Sequence, residues 1–208
     1  MPFELRPANL RDANRIVEFL YEHLSVTVPL YRSLEVSRND LKTFLPAVVQ
    51  ECALFPVSLL ATENGEIVGC QLNTLVEKDV DAIDYQMFDC ADLSPNAQRL
   101  LSLLSFIAND LNQMLPADLS RFLKTLVFCV DENKEIGDLF EKTHRKTQEL
   151  AREAGAQAIL AEATSKLAQQ RYGKANFEIV KSVEFRNFDV QITCDDGNDC
   201  CQVVLFRL

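Results

Sequence analysis

The sequence predicts one mixed α/β domain over residues 1–208, a single sheet of about seven strands with helices packed on it. Three observations predict it. Asn64-Gly65 lies between the apolar runs Val57–Thr62 and Ile67–Val76, the strongest short-range signal of a β-hairpin. Thr125–Val130 is a continuous apolar run, then a polar segment, a helical stretch and a second short apolar run follow, the pattern of a strand–helix–strand crossover. The third is bulk: 48% of the 208 residues are hydrophobic and 25% charged, enough apolar surface for a sizeable core.

The elements follow in order. Phe3-Glu4-Leu5 alternates as a strand and is broken by Arg6-Pro7-Ala8-Asn9. Asn9 or Arg11-Asp12 then opens an amphipathic helix whose apolar face is Ala13, Ile16, Val17, Leu20 and Leu24, closing near Glu22 and His23. Residues 25–40 read as a loop, and Leu41 to Leu54 as a second helix that Pro46 interrupts. The hairpin comes next. Residues 77–99 have no sharp pattern, and Leu100 to Leu115 reads as a buried helix inserted between the third and fourth strands. After Val130 a helix spans about Gly137 to Ala154, closed by Gly155. A strand at Ala158–Ala161, a helix at Ala168–Lys174 and strands at Phe177–Phe185 and Cys201–Phe206 complete the chain.

Charge and cysteine content narrow the function. The net charge of −10 repels phosphate backbones, so nucleic acid is not expected as a partner. Seven cysteines without CxxC spacing, and only two histidines, fit neither a disulfide framework nor a metal site. No stretch reaches the roughly 18 apolar residues of a membrane span, and residues 1–25 carry no secretory pattern, so a cytoplasmic protein is expected.

This order, with particular residues in it, resembles the Gcn5-related N-acetyltransferase (GNAT) superfamily, and within it the arylalkylamine N-acetyltransferase group of insects and nematodes. Leu5-Arg6-Pro7-Ala8-Asn9-Leu10-Arg11-Asp12-Ala13 is similar to the family's first strand and its turn into a helix. Ser58-Leu59-Leu60-Ala61 with Gly65-Glu66-Ile67-Val68-Gly69 resembles its hairpin, and the helical insertion around 92–115 resembles a segment the arylalkylamine group carries. Ala168-Gln169-Gln170-Arg171-Tyr172-Gly173-Lys174-Ala175-Asn176-Phe177 resembles its late A-x-x-x-Y-x-x-x-G-F signature. The resemblance implies acetyl-CoA as cosubstrate and a small primary amine, arylalkylamines included, as acceptor. It also implies direct attack of the amine on the thioester, in a monomer or homodimer.

The resemblance further implies where the site lies. Phe128, Cys129 and Val130 of the fourth strand, with Lys134, Ile136, Gly137 and Asp138 of the following junction, would hold acetyl-CoA. The family pattern there is Arg or Gln, two residues, Gly, one residue, then Gly or Ala. Here Glu132-Asn133-Lys134-Glu135-Ile136-Gly137 keeps only the last glycine, which reads either as a weakened diphosphate loop or as an ordinary connection. Tyr172 matches the tyrosine that protonates the leaving thiolate, a task suited to a phenol with a pKa near 10; a tyrosine simply tucked against the sheet is the other reading. The group's Glu-Pro-Leu base is Val28-Pro29-Leu30 here, and its serine-rich stretch ends in Ala168, so both residues are lost. Glu22, His23, Glu35 and His144 are the substitutes within reach, with His23 read as a solvated cap and His144 on an exposed face. These departures leave a second possibility, a catalytically impaired relative binding an acyl-CoA or a protein partner. A third is a regulatory or structural domain with no CoA site, for which the fourth and fifth strands would pair without a gap.

Overall fold

A computed structural model describes residues 3–78, 92–134 and 137–208. Seven strands form one sheet in the order β1-β2-β3-β4-β5-β7-β6: β1 (Glu4–Pro7), β2 (Leu59–Glu63), β3 (Glu66–Glu77), β4 (Arg121–Val130), β5 (Ala158–Ala163), β6 (Glu178–Glu184) and β7 (Cys200–Arg207). All neighbours are antiparallel except β4 and β5, which run parallel because helix α7 (Leu139–Glu153) carries the chain between them. The mixed sheet is the expected one. Among the described residues, six helices lie on one face: α1 (Ala13–Thr27), α2 (Pro29–Ser33), α3 (Arg38–Leu41), α4 (Leu45–Cys52), α5 (Pro95–Ala108) and α6 (Leu111–Met114). The other face carries α7 and α8 (Lys166–Lys174).

Local chemistry sets the boundaries. Asn64 (φ 51°) and Gly65 (φ 84°) both occupy positive φ, as the tight turn between β2 and β3 requires. Gly69 is needed for another reason: a Cβ there would stand 2.7 Å from Cδ2 of Leu139, where α7 packs onto β3. Pro46 does not interrupt a helix. It sits in the first turn of α4, where a missing N–H costs nothing, so the helix starts at Leu45 rather than Leu41. Residues 25–40, read as loop, hold the last turn of α1, then α2 and α3, the latter capped by Ser37 with Asp40. The inserted helix begins at Pro95, capped by Ser94, and breaks before Asp110, whose φ of 59° starts the separate α6. Lys181 of β6 donates to the carbonyls of Ile107 (3.0 Å) and Asn109 (2.5 Å), so a cation closes the C-terminal end of α5.

The entry into α1 is fixed by Asp12, only 6% exposed. Its carboxylate accepts from both terminal nitrogens of Arg6 (2.7 and 2.8 Å) and from the Asn9 amide (3.1 Å). The Arg6 hydrogen bonds hold the Asp12 carboxyl below its usual pKa, against burial, which raises it. A depressed carboxyl pKa stabilises the fold above the unfolded value, near 3.9, and that contribution is lost as pH falls through the folded value. Asp12→Asn is therefore expected to cost about 1–3 kcal/mol at neutral pH. The loss should shrink below about pH 4, as followed by urea unfolding across pH.

Candidate functional site

The site begins where two strands part. β4 and β5 pair over four positions, Phe122↔Ala158 to Thr125↔Ala161. Beyond them β4 stays paired with β3 as far as Val130, and β5 with β7 as far as Ala163. The departure coincides with a bulge: Thr125 faces Asn73 and Val127 faces Leu72, leaving Leu126 as the extra residue. A bulge bends and twists its strand, so β4 turns from β5 at that residue.

A buried polar network pins the bulge. The Asn73 side-chain oxygen accepts from Thr125 Oγ1 (2.8 Å) and Gln71 Nε2 (3.0 Å), and its amide donates to the Val57 carbonyl (2.7 Å). The Asn73 backbone N–H donates to Ser58 Oγ (2.9 Å), whose hydroxyl lies 2.9 Å from the Cys52 carbonyl it can donate to. Asn73 and Ser58 are fully buried, so this register is fixed at a cost no slipped pairing could match.

The gap opens into a cavity of about 180 Å³ that passes through the sheet. From the α1 side it is lined by Leu24, Thr27, Val28, Tyr31 and Leu104; from the α8 side by Phe140, Ala168, Arg171 and Tyr172. The exposed backbone edge of β4, 126–130, runs between them. Such an edge offers N–H and C=O groups to an extended ligand or a developing oxyanion. A second hollow continues outward past Phe128, Val130 and Phe140 to Asp131, Glu132, Lys134 and Gly137 at the start of α7. Arg171 borders both.

Helix α8 delivers Tyr172. Ser165 caps its first turn by accepting from the Ala168 N–H (3.1 Å), and Asn176 closes it with φ 61°. Gln169 and Asn198 tie it to β7: Gln169 donates to Asn198 (3.1 Å) and to the Cys200 carbonyl (3.0 Å). The Tyr172 ring stands edge-on to Phe140 (centroids 5.2 Å apart) and Phe177 (4.8 Å). Burial pushes its phenol pKa well above 10, so it keeps its proton at any physiological pH.

The other expected residues fall as follows. Phe128 and Val130 border both hollows. Cys129 points away, its thiol 3.6 Å from the Thr27 hydroxyl and pushed up to about 12 by burial, which makes it an inert core residue. Lys134 and Gly137 border the outer hollow, but Lys134 donates to Glu63 (2.7 Å), which shares its charge with a carboxylate. Asp138 precedes α7, makes no capping hydrogen bond and pairs with Lys142 (2.9 Å). Ile136 and Glu135 lie outside the described residues. Val28, at which the resemblance implied a lost carboxylate, lines the cavity.

Both histidines differ from expectation. His144 is half-buried, packed against Phe140, Phe177 and Phe206, and burial lowers its pKa. Besides Phe140 of its own helix, its apolar surroundings are Phe177, just before β6, and Phe206 of β7, of which the charged neighbours on that helix gave no sign. His23 is not a cap: α1 continues to Thr27, and the ring sits on Phe19 with Nδ1 3.8 Å from Asp131. The residues the sequence reading missed are Arg171, Tyr31, and the pair Lys124–Glu162. Lys124 Nζ lies 2.9 Å from Glu162, with both side chains buried (2% and 5% exposed). Arg171 stands inside the signature run that placed Tyr172, and its one-residue offset was the available signal. Its guanidinium lies 5.7 Å from the Phe140 ring centre, and among the described residues it forms no ion pair. Among those residues, too, no cluster of His, Cys, Asp and Glu could hold a metal, and no helix is long and apolar enough to cross a membrane.

No protein-family model and no curated protein matches the chain. Solved structures do. Arylalkylamine N-acetyltransferase 2 from Aedes aegypti matches with TM-score 0.79 and 16% identity, over 100% of this chain and 99% of that one. The polyamine N-acetyltransferase of Drosophila melanogaster, which forms N-acetylagmatine, matches with TM-score 0.77 and 13% identity over all of both chains. The C-terminal condensation domain of Ebony, solved with beta-alanyl-dopamine, matches with TM-score 0.76 and 14% identity, again over all of both. At this distance in sequence the likeness is one of architecture: the chain has the mixed α/β fold of the Gcn5-related N-acetyltransferases.

Proposed function

We infer that the chain is an acetyl-CoA-dependent N-acetyltransferase acting on a small primary amine, arylalkylamines among the acceptors. The observation that carries the reading is the cavity through the sheet at the β4–β5 divergence. A thioester arm lying along the free edge of β4 would present its carbonyl between the two faces. An amine could then reach it from the α1 side, over Leu24, Thr27, Tyr31 and Leu104, while Tyr172 meets the sulfur from the α8 side. The apolar lining suits an amine with an aromatic or aliphatic body. We place the enzyme in a reducing compartment, the cytoplasm, on seven cysteines without the spacing of a disulfide framework, and take it to act as a monomer or homodimer.

The diphosphate end fits less well, and one observation there supports a second reading. Asp131 and Glu132 border the outer hollow where anionic phosphates would lie, and Lys134 is paired with Glu63. Among the described residues that border the hollow, Arg171 is the cation left to receive a phosphate. A protein retaining the arm slot but impaired in catalysis would bind an acyl-CoA or a partner without turning over.

Calorimetric titration with acetyl-CoA, followed by amine panels scored for thiol release, tests both readings. Acetyl-CoA is expected to bind more tightly than about 100 μM, and Arg171→Glu to weaken it at least tenfold, about 1.4 kcal/mol. Binding without thiol release from any amine would favour the impaired binder. No binding at about millimolar acetyl-CoA, roughly 4 kcal/mol of affinity, would remove both.

A further inference from the structure

We propose that Glu162, held in place by Lys124, is the acceptor-side base of the transfer and does the work of the carboxylate lost at Val28. The inference rests on the acyl-transfer reading above and deepens it. Glu162 is the only carboxylate among the described residues that line the cavity through the sheet. It is also the first residue of β5 beyond the last ladder pair, Thr125↔Ala161, so it stands where the gap opens.

Strand alternation decides which side it serves. Leu160 packs into the core under α1, whereas Ala161 and Ala163 pack against α7 and α8. Glu162 therefore projects to the α1 side, where its charge acts on Tyr31 of α2 and Cys201 of β7. Tyr172 enters from the opposite face. A base on the acceptor side and an acid on the donor side thus flank the gap in which the thioester would sit.

Lys124 explains how a carboxylate persists there. Its ammonium nitrogen stands 2.9 Å from the carboxylate with both side chains buried, so each partner offsets the cost of burying the other and holds it in place. The other titratable groups around Glu162 are Tyr31 of α2 and Cys201 of β7, with Cys129 of β4 beyond Tyr31 and Lys181 of β6 beyond Cys201. Burial raises the pKa of the phenol and both thiols and keeps them neutral.

The step balances as follows. An alkyl amine arrives as its ammonium form and cannot attack until it loses a proton, which Glu162 accepts directly or across one water. The nitrogen lone pair forms the N–C bond, the C–S bond breaks with its electrons on sulfur, and Tyr172 protonates the thiolate. A second proton leaves nitrogen as the amide forms and replaces the one Tyr172 gave. The proton on Glu162 passes to solvent, so each amide made releases one proton.

Glu162→Gln alone strands a buried lysine charge, so the test uses Glu162→Gln with Lys124→Met, which keeps the cavity neutral, and Glu162→Asp, which keeps the charge pair. Each is assayed across pH with two acceptors, an alkyl primary amine and an O-alkyl hydroxylamine that is already neutral near neutral pH. In the double variant, kcat for the alkyl amine is expected to fall at least about tenfold. Its acid limb should move toward the amine's own pKa, near 10. Hydroxylamine transfer and calorimetric acetyl-CoA affinity should change by less than about twofold. Glu162→Asp should keep the wild-type acid limb. An unshifted limb in the double variant, a shifted one in Glu162→Asp, or equal losses with both acceptors would overturn the proposal and leave the pair a structural one. Wild-type protein that binds acetyl-CoA but acetylates neither acceptor would overturn the transfer reading and the base together.

Discussion

Tyr172→Phe is expected to lower kcat for acetyl transfer by about 10²-fold or more, the usual contribution of a positioned general acid. The substitution removes one oxygen and leaves the ring between Phe140 and Phe177, so folding and acetyl-CoA affinity should stay near wild type. Burial raises the Tyr172 pKa, so the protonated, competent form persists as pH rises. A wild-type kcat profile should accordingly show no basic limb from this residue below about pH 10. Steady-state kinetics, with calorimetry on the same preparations, separate a lost proton donor from a lost binding surface. A kcat within about threefold of wild type would return Tyr172 to the role of a packed aromatic.

Phe122→Ala should lower the free energy of unfolding by about 3–5 kcal/mol, read from urea curves of unchanged slope. Phe122 is fully buried and faces Ala158 in the first β4–β5 pair. Its loss should also loosen the junction from which the cavity opens. Phe185→Ala, equally buried but outside the β4–β5 ladder, is the control. A comparable loss of stability with acetyl-CoA affinity retained is expected there, and affinity lost only in Phe122→Ala would tie the ladder to the site.

Much of this architecture was readable from the chain, and the places where it was not share a cause. The Asn64-Gly65 hairpin and the crossover through α7 follow from local turn chemistry and apolar runs, and both stand as expected. The reading of β4 began at Thr125, but the strand begins at Arg121; the reading of β5 ended at Ala161, but the strand ends at Ala163. Each boundary was placed just short of one partner of the Lys124–Glu162 pair, because an isolated charge reads as exposed until its counter-charge is known. The same pair was therefore missing from the candidate site. Tyr172 was legible because a whole run of residues marked it. His144 was not, because the apolar surroundings that half-bury it come from Phe177 and Phe206, distant in sequence.

The brevity of the β4–β5 ladder has a mechanical consequence. Four residue pairs join the block β1–β4 to the block β5-β7-β6, against nine between β3 and β4 and six between β5 and β7. Backbone amides along that seam should exchange with solvent deuterium sooner than those of the β3–β4 and β5–β7 ladders on either side of it. Any molecule bridging the two blocks would slow that exchange, so the sheet itself would report occupancy of its centre.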